Sequence, residues 1–337
     1  MRPERGMGKL STENLQRLLK CIKRDPRVIV PPSPGFDSGV HRLGNQYLVV
    51  STDPCIGVPE KWFGWLLIHY AASDVALFGS KPEFCTINLL GPTKTKPEIF
   101  YEVMDQTCSA ADELQMTIVT GHTGTYEDVA ALTGVCTAYG TVAKNRLITP
   151  GSAKAGDLIF CVKPIGLETI VNFALTHRIL ADRLFGTRQT RRLSTLVSMQ
   201  SCVKEALLIA KIRGVHAMHD ATEGGLTAAL NEIAEASKIG FEMDFNKVPI
   251  PEEMPRLKQH FGLRDHEILS MSSTGTILVA VSPEAEGAAE NVLRRNNIET
   301  SILGRFVRNT GRFLLKNSRK TPFPRIADDP YQRILSG

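Results

Sequence analysis

Between Val215 and Ala236 the chain reads Val-His-Ala-Met-His-Asp-Ala-Thr-Glu-Gly-Gly-Leu and then turns helical. Val215 to Met218 has the make-up of a strand end. Leu226, Leu230 and Ile233 recur at i, i+4 and i+7, one face of a helix. The polar residues His219, Asp220, Thr222 and Glu223, with Gly224 and Gly225, therefore lie where a strand gives way to a helix N-terminus. Free backbone N–H groups and the helix dipole favour an anion such as phosphate there. Two carboxylates beside a phosphate need a cation, and Mg²⁺ with its oxygen ligands fits. Taken alone, Asp-x-Thr reads more readily as an N-cap with a glycine turn. The stretch becomes a site only if other carboxylates converge on it.

A chain of 337 residues is long enough for two domains with their own cores. At 42% hydrophobic and 22% charged residues it has an ordinary globular composition, and a net charge of +5 gives no case for nucleic acid. Arg305, Arg308, Arg312, Lys316, Arg319 and Lys320 form a basic run, read as a solvated face or tail. The seven cysteines include no Cys-x-x-Cys pair and mostly sit in apolar surroundings, as reduced core residues would. The start, Met-Arg-Pro-Glu-Arg, has no apolar signal region, and no apolar run is long enough to span a membrane. The expected location is the cytoplasm.

In chain order, Leu10 to Lys23 reads as an amphipathic helix and Val28 to Val30 as a strand. In the following Pro/Gly loop, Asp37 lies between Gly35 and Gly39, where backbone can approach a ligand. A turn Asp explains it equally well. Tyr47 to Ser51 is a strand that leads into Thr52-Asp53-Pro54, placing Asp53 at a C-terminal strand end, where α/β proteins often hold ligands. Lys61 to Phe78 is a helix apolar nearly all round, hence buried, yet it contains Asp74. A buried carboxylate must be paired, for instance with Lys81, or hold a metal. Met116 to Val119 is a strand followed by the polar loop Thr120-Gly121-His122-Thr123-Gly124. Pro150 to Asp157 is the expected domain boundary, giving domains of about 1–150 and 151–337. In the second half, Gly166 and Glu168 open a helix, as a phosphate loop or as a plain helix start. Residues 177–193 are expected at the surface and Ser198 to Arg213 in a helix. Strands and helices in both halves suit α+β domains with helices on one face of each sheet. A doubly wound sheet also fits, but the glycine fingerprints of dinucleotide and P-loop sites are absent.

Four carboxylates, Asp37, Asp53, Asp74 and Asp220, thus share one kind of setting. An acid cluster without Cys or His ligands suits Mg²⁺ and nucleotide-dependent phosphoryl transfer. At this point a resemblance enters. Val-Val-Ser-Thr-Asp-Pro at 49–54, Ser-Asp at 73–74 before Gly-Ser-Lys-Pro, Gly-His-Thr at 121–123 and Met-His-Asp-Ala-Thr-Glu-Gly-Gly-Leu at 218–226 follow Asp37 in order. This order resembles the aminoimidazole ribonucleotide synthase superfamily, whose members include the hydrogenase maturation protein HypE, selenophosphate synthetase and thiamine monophosphate kinase. Gly8-Lys9-Leu10, Phe63-Gly64-Trp65-Leu66 and Pro164-Ile165-Gly166-Leu167-Glu168 are most similar to the archaeal HypE-like branch.

The resemblance implies a two-domain α+β, PurM-like fold whose N-terminal sheet pairs across a homodimer. It implies ATP bound with Mg²⁺. By motif, Asp37, Asp53, Asp74 and Asp220 would hold the metal, with Asp220 and His122 also in catalytic roles. Lys9, Thr52, Gly121, Thr123, Thr222, Glu223, Gly224 and Gly225 would contact the nucleotide. The substrate would be a small molecule or a group carried on a maturation partner protein. The chain departs from HypE at Pro324-Arg325-Ile326-Ala327, where HypE ends in Pro-Arg-Ile-Cys and uses that thiol as carrier. The expected function is therefore ATP-dependent activation of an amide-type oxygen on a separate substrate. A small-molecule kinase and a non-catalytic nucleotide-binding assembly protein are the alternatives.

Overall fold

The computed structural model describes Leu10 and residues 12–336. Its strands form two sheets. In the first half they are β1 (Val28–Val30), β2 (Ser38–Leu43), β3 (Gln46–Ile56), β4 (Phe84–Pro92), β5 (Thr117–Tyr126) and β6 (Thr133–Ala143), in the order β1-β2-β3-β6-β4-β5. In the second half they are β7 (Leu158–Val162), β8 (Val215–Asp220), β9 (Gly240–Asp244), β10 (Ile277–Val281), β11 (Thr300–Val307), β12 (Arg312–Lys316) and β13 (Arg319–Pro322), in the order β13-β12-β9-β11-β7-β10-β8. Both sheets are mixed: β4 pairs with β5, and β9 with β12, in parallel. The helices are α1 (Thr12–Leu19), α2 (Phe63–Leu77), α3 (Pro97–Leu114), α4 (Leu167–Thr176), α5 (Arg178–Phe185), α6 (Thr187–Leu193), α7 (Val203–Ile209), α8 (Gly225–Ser237), α9 (Met254–Phe261), α10 (Asp265–Leu269), α11 (Glu286–Arg295) and α12 (Tyr331–Leu335). The α+β fold expected from the sequence is the one observed.

The first sheet follows from alternation. Along β6, Gly134, Cys136, Ala138, Gly140 and Val142 are buried under α2, while the residues between them face outward. Small residues there let α2 lie close. The apolar circumference of α2 is explained by its neighbours: the sheet on one side, α3 and α7 on the others. The second sheet is different. Phe160, Val162, Ile277 and Val279 belong to the same core as α2, whereas Ile159, Cys161, Leu278 and Ala280 pack into a second core with α4 and α8. Its central strands are buried on both faces, so the expectation of helices on one face holds for the first sheet only. Neighbouring residues on β7 and β10 all being apolar is the sequence mark of that difference.

Other expectations need correction. β3 does not end at Ser51. It continues to Ile56, paired with β6 throughout, so Asp53 is mid-strand opposite Cys136. Pro54 is tolerated because β2 pairs only as far as Ser51, leaving β3 with one partner beyond it. The run Gly121 to Gly124 is edge strand rather than loop, since β5 stays paired with β4 to Tyr126. Ser38 to Leu43, read as the end of a loop and unassigned chain, is β2. Residues 177–193 form α5 and α6, which bury Ala181, Phe185, Thr190 and Leu193. The helix expected from Ser198 to Arg213 shrinks to α7. The basic run is no loose tail: β12 and β13 form a hairpin, Arg312 is buried and bonded to Asn231 and Glu235, and Lys316 and Lys320 pair with Asp265 and Glu242. Alternating apolar and charged residues in a hairpin look like a charge run when read in one dimension.

Phe160, 1% exposed, sits in the core that both sheets share. Phe160→Ala is expected to lower the unfolding free energy by about 3–5 kcal/mol. Urea denaturation checks this, and a loss under about 1 kcal/mol would show that the strand bears little on the shared core.

Candidate functional site

The shared core brings α2 against β3 and β8, and Asp74, Asp53 and Asp220 arrive on those elements, with Asp37 on the loop before β2. Asp74 is on the last turns of α2, 4% exposed, within an otherwise apolar stretch. Its partner is not Lys81, whose amine bonds Gln115 Oε1 at 2.7 Å. It is Ser51, whose hydroxyl lies 2.7 Å from Asp74 Oδ2 and 3.0 Å from the Asp37 carbonyl oxygen. One serine thus ties the helix acid to the loop acid. Burial raises the Asp74 carboxyl well above the usual range, and the charges of Asp53, Asp37 and Asp220 raise it further, against the pull of Ser51. All four acids therefore act on one place.

Asp220 ends β8 and is 3% exposed. Its Oδ1 is buried without a hydrogen-bond partner. Beside it, His219 Nδ1 stands 3.4 Å from Asp220 Oδ1 and 3.7 Å from Asp37 Oδ2, and Nε2 stands 2.9 Å from Glu232 Oε2. Burial opposes charge on this imidazole, but Asp220, Glu232 and Asp37 outweigh it and hold its pKa well above the ordinary value. The loop bearing Asp37 reaches this far because Gly35 adopts φ +76° and passes over α8, where a β-carbon would stand 2.9 Å from Glu232 Cβ.

Ligand atoms of Asp37, His219 and Asp220 all lie within 4.8 Å of one another, the one such group among the described residues. The donors fit a hard divalent cation: carboxylates predominate, and a buried carboxylate oxygen accepts no hydrogen bond. His219 belonged to the polar cluster in the sequence but was given no role. Its partner Glu232 lies on α8 and carried no local signal.

The remaining candidates fall in three places. Lys9 lies outside the described residues. Gly121 and Thr123 register with the inward residues Ile87 and Leu89, but on the exposed edge strand β5. Thr52 and His122 lie on the open face of the first sheet, away from the acids: Thr52 accepts a bond from Thr137 at 3.0 Å, and His122 Nε2 lies 2.5 Å from the Tyr126 hydroxyl. A single chain does not bring these two to Asp74.

Thr222, Glu223, Gly224 and Gly225 form the turn into α8, with the Gly225 N–H on the Thr222 carbonyl at 2.9 Å. Gly225 has φ +55°, and a β-carbon on it would stand 2.4 Å from the Met271 carbonyl. Where phosphate was expected, the structure has Asp329. Its carboxylate accepts from Gly224 N–H at 3.0 Å, Ser272 N–H at 3.2 Å and the Ser272 hydroxyl at 2.6 Å. Ala327 packs against the same turn.

Comparison with known proteins agrees with this architecture. The family model for the AIR synthase related protein N-terminal domain matches residues 35–142, and the model for its C-terminal domain matches residues 154–315. A selenide, water dikinase of Shewanella sp. (strain MR-4) is 27% identical over 306 residues, covering 83% of this chain and 84% of that protein. A putative hydrogenase expression/formation protein of Methanocaldococcus jannaschii is 26% identical over 264 residues, covering 77% and 75%. A solved structure of the hydrogenase maturation protein HypE in complex with ATP has a TM-score of 0.67 at 19% identity, covering 94% of this chain and 91% of that one. With both domain models matched in order across two sheets of the expected kind, the chain belongs to the AIR synthase related family.

Proposed function

We propose that this chain is a Mg²⁺- and ATP-dependent enzyme that phosphorylates, and so activates, an amide-type oxygen on a separate substrate. The observation that carries the reading is the gathering of Asp37, Asp53, Asp74 and Asp220 where the two halves meet, with a buried Asp220 oxygen that accepts no hydrogen bond and a strongly raised Asp74 carboxyl. So many acids are costly together unless a cation offsets them. Asp37 and Asp220 would hold Mg²⁺, with Asp53 and Asp74 completing the negative field. Bound there, the metal would neutralise phosphate charge during transfer. The ATP complex of HypE supports the choice of nucleotide. Residues 1–150 then supply the nucleotide side and residues 151–337 the acceptor side.

The acceptor is a separate molecule because Ala327 offers no nucleophile at the tail motif and is packed against Gly224. An acceptor held by its phosphate at the start of α8, as a kinase of a phosphorylated metabolite would need, meets the carboxylate of Asp329 instead.

The active form is read as a homodimer. The open face of the first sheet carries Leu48, Val50, Val135, Tyr139 and Leu90 half-buried, with Ile56 at 58% exposure. A partner's copy of that face would cover them. It would also bury Thr52 and His122, and so bring them into an interface.

Asp53→Asn is expected to weaken Mg–ATP binding more than tenfold, about 1.4 kcal/mol. Calorimetry with and without Mg²⁺ checks this, and unchanged affinity removes Asp53 from the site. Light scattering at micromolar concentration should give a dimer and Ile56→Lys a monomer; a monomeric parent protein would contradict the pairing. Incubated with ATP, carbamoyl phosphate and a carbamoyl-transfer partner, the intact chain should gain no mass on its C-terminal peptide. A carbamoyl or nitrile adduct there would restore the self-modifying role.

A further inference from the structure

Glu168 lies in the first turn of α4 and is 9% exposed. Its Oε2 accepts two bonds from Thr274, from the backbone N–H at 2.9 Å and from the hydroxyl at 2.6 Å, and Oε1 accepts neither. The loop that carries Thr274 is bonded to the residue after Asp220. Ser273 N–H donates to the Ala221 carbonyl at 3.0 Å, and Ala221 N–H donates to the Thr276 carbonyl at 2.9 Å. Gly166 N–H in turn donates to the Ser273 hydroxyl at 2.5 Å. One loop therefore fixes Glu168 relative to the strand end that presents Asp220.

Tyr70 lies one turn before Asp74 on α2 and so on the same helical face. Its hydroxyl is made less acidic by burial and by the charges of Glu168, Cys55, Tyr331 and Asp53. Tyr70 is thus acted on both by Glu168 and by the metal-side acid Asp53. The other groups that face Glu168 are Tyr331 and Asp329 from the tail and Glu223 from the turn into α8. The charges among them are negative. Among the described residues no cation is paired with this carboxyl, and a glutamine would accept the Thr274 bonds at less cost in burial. Holding the loop therefore does not explain why the residue is an acid. Burial, opposed by Thr274 and aided by Asp329 and Glu223, pushes it up to about 7, where a carboxyl gains and loses a proton near neutral pH.

We propose that Glu168 is the catalytic acid–base group on the acceptor side of this site, taking the proton that the acceptor loses as it is phosphorylated. The inference rests on the ATP-dependent reading above. In the step, the acceptor oxygen forms a bond to the γ-phosphorus and the bond from that phosphorus to the β–γ bridging oxygen breaks. ADP leaves with the electron pair, and the acceptor's proton passes to the Glu168 carboxylate.

The test uses water as the acceptor, in slow Mg–ATP hydrolysis by the full chain. The parent protein should speed up as pH rises through about 7, because the base must be unprotonated. Glu168→Gln should keep Mg–ATP affinity within about twofold by calorimetry, lower turnover on the order of a hundredfold and flatten the pH profile. Glu168→Asp should keep the profile at reduced rate. Turnover and profile unchanged in Glu168→Gln would overturn the assignment while leaving the nucleotide site intact. Tight nucleotide binding by the parent without turnover at any pH would also overturn it. Failure of the parent to bind Mg–ATP would instead remove the reading on which it rests.

Discussion

The Asp74 carboxyl is costly to bury, and the architecture around it is arranged to make that tolerable. It lies on a helix with apolar neighbours on every side, where an acid would otherwise be selected out or neutralised by a lysine. Among the described residues no lysine is paired with it. Ser51 gives it one hydrogen bond, and three further acids crowd it from β3, from the loop before β2 and from the end of β8. That arrangement stores electrostatic repulsion which a bound cation relieves. The folding energy that holds it comes from elsewhere, chiefly from the apolar layer in which α2 meets both sheets. A two-sheet fold with one shared core can force four like charges together because none of them carries the packing.

Seen this way, the two halves do different electrostatic work. The first half brings Asp37, Asp53 and Asp74. The second brings Asp220, together with a basic group that faces two of the acids, His219. With Glu232 behind it, His219 supplies positive charge of its own between Asp37 and Asp220.

Much of this was legible in one dimension. Asp74 stood out because a single acid in a run such as Ala-Ala-Ser-Asp-Val-Ala-Leu has no ordinary reason to be there. The strand-to-helix passage at Asp220 was legible from the switch between periodicities. What stayed hidden depended on distance in sequence. Glu232 sits on α8 in a position any exposed glutamate might take, and only the left-handed Gly35 carries the Asp37 loop over it. Asp329 follows a stretch without periodicity, so nothing marked it as the group that would seat itself on the Gly224 turn. Strand ends were misjudged at Asp53 and at Gly121 for one reason: polar and glycine residues suggest loops, but pairing with β6 and β4 continues through them.

Pro54 has a consequence for what can reach the acids. Beyond Ser51 the outer edge of β3 has lost its neighbour, and an uncovered edge beside a buried charge would ordinarily attract another extended chain. Proline has no N–H to offer such a guest. At Pro54 the ladder offers a guest strand no donor, so the stretch of β3 that carries Asp53 is a poor template for another extended chain.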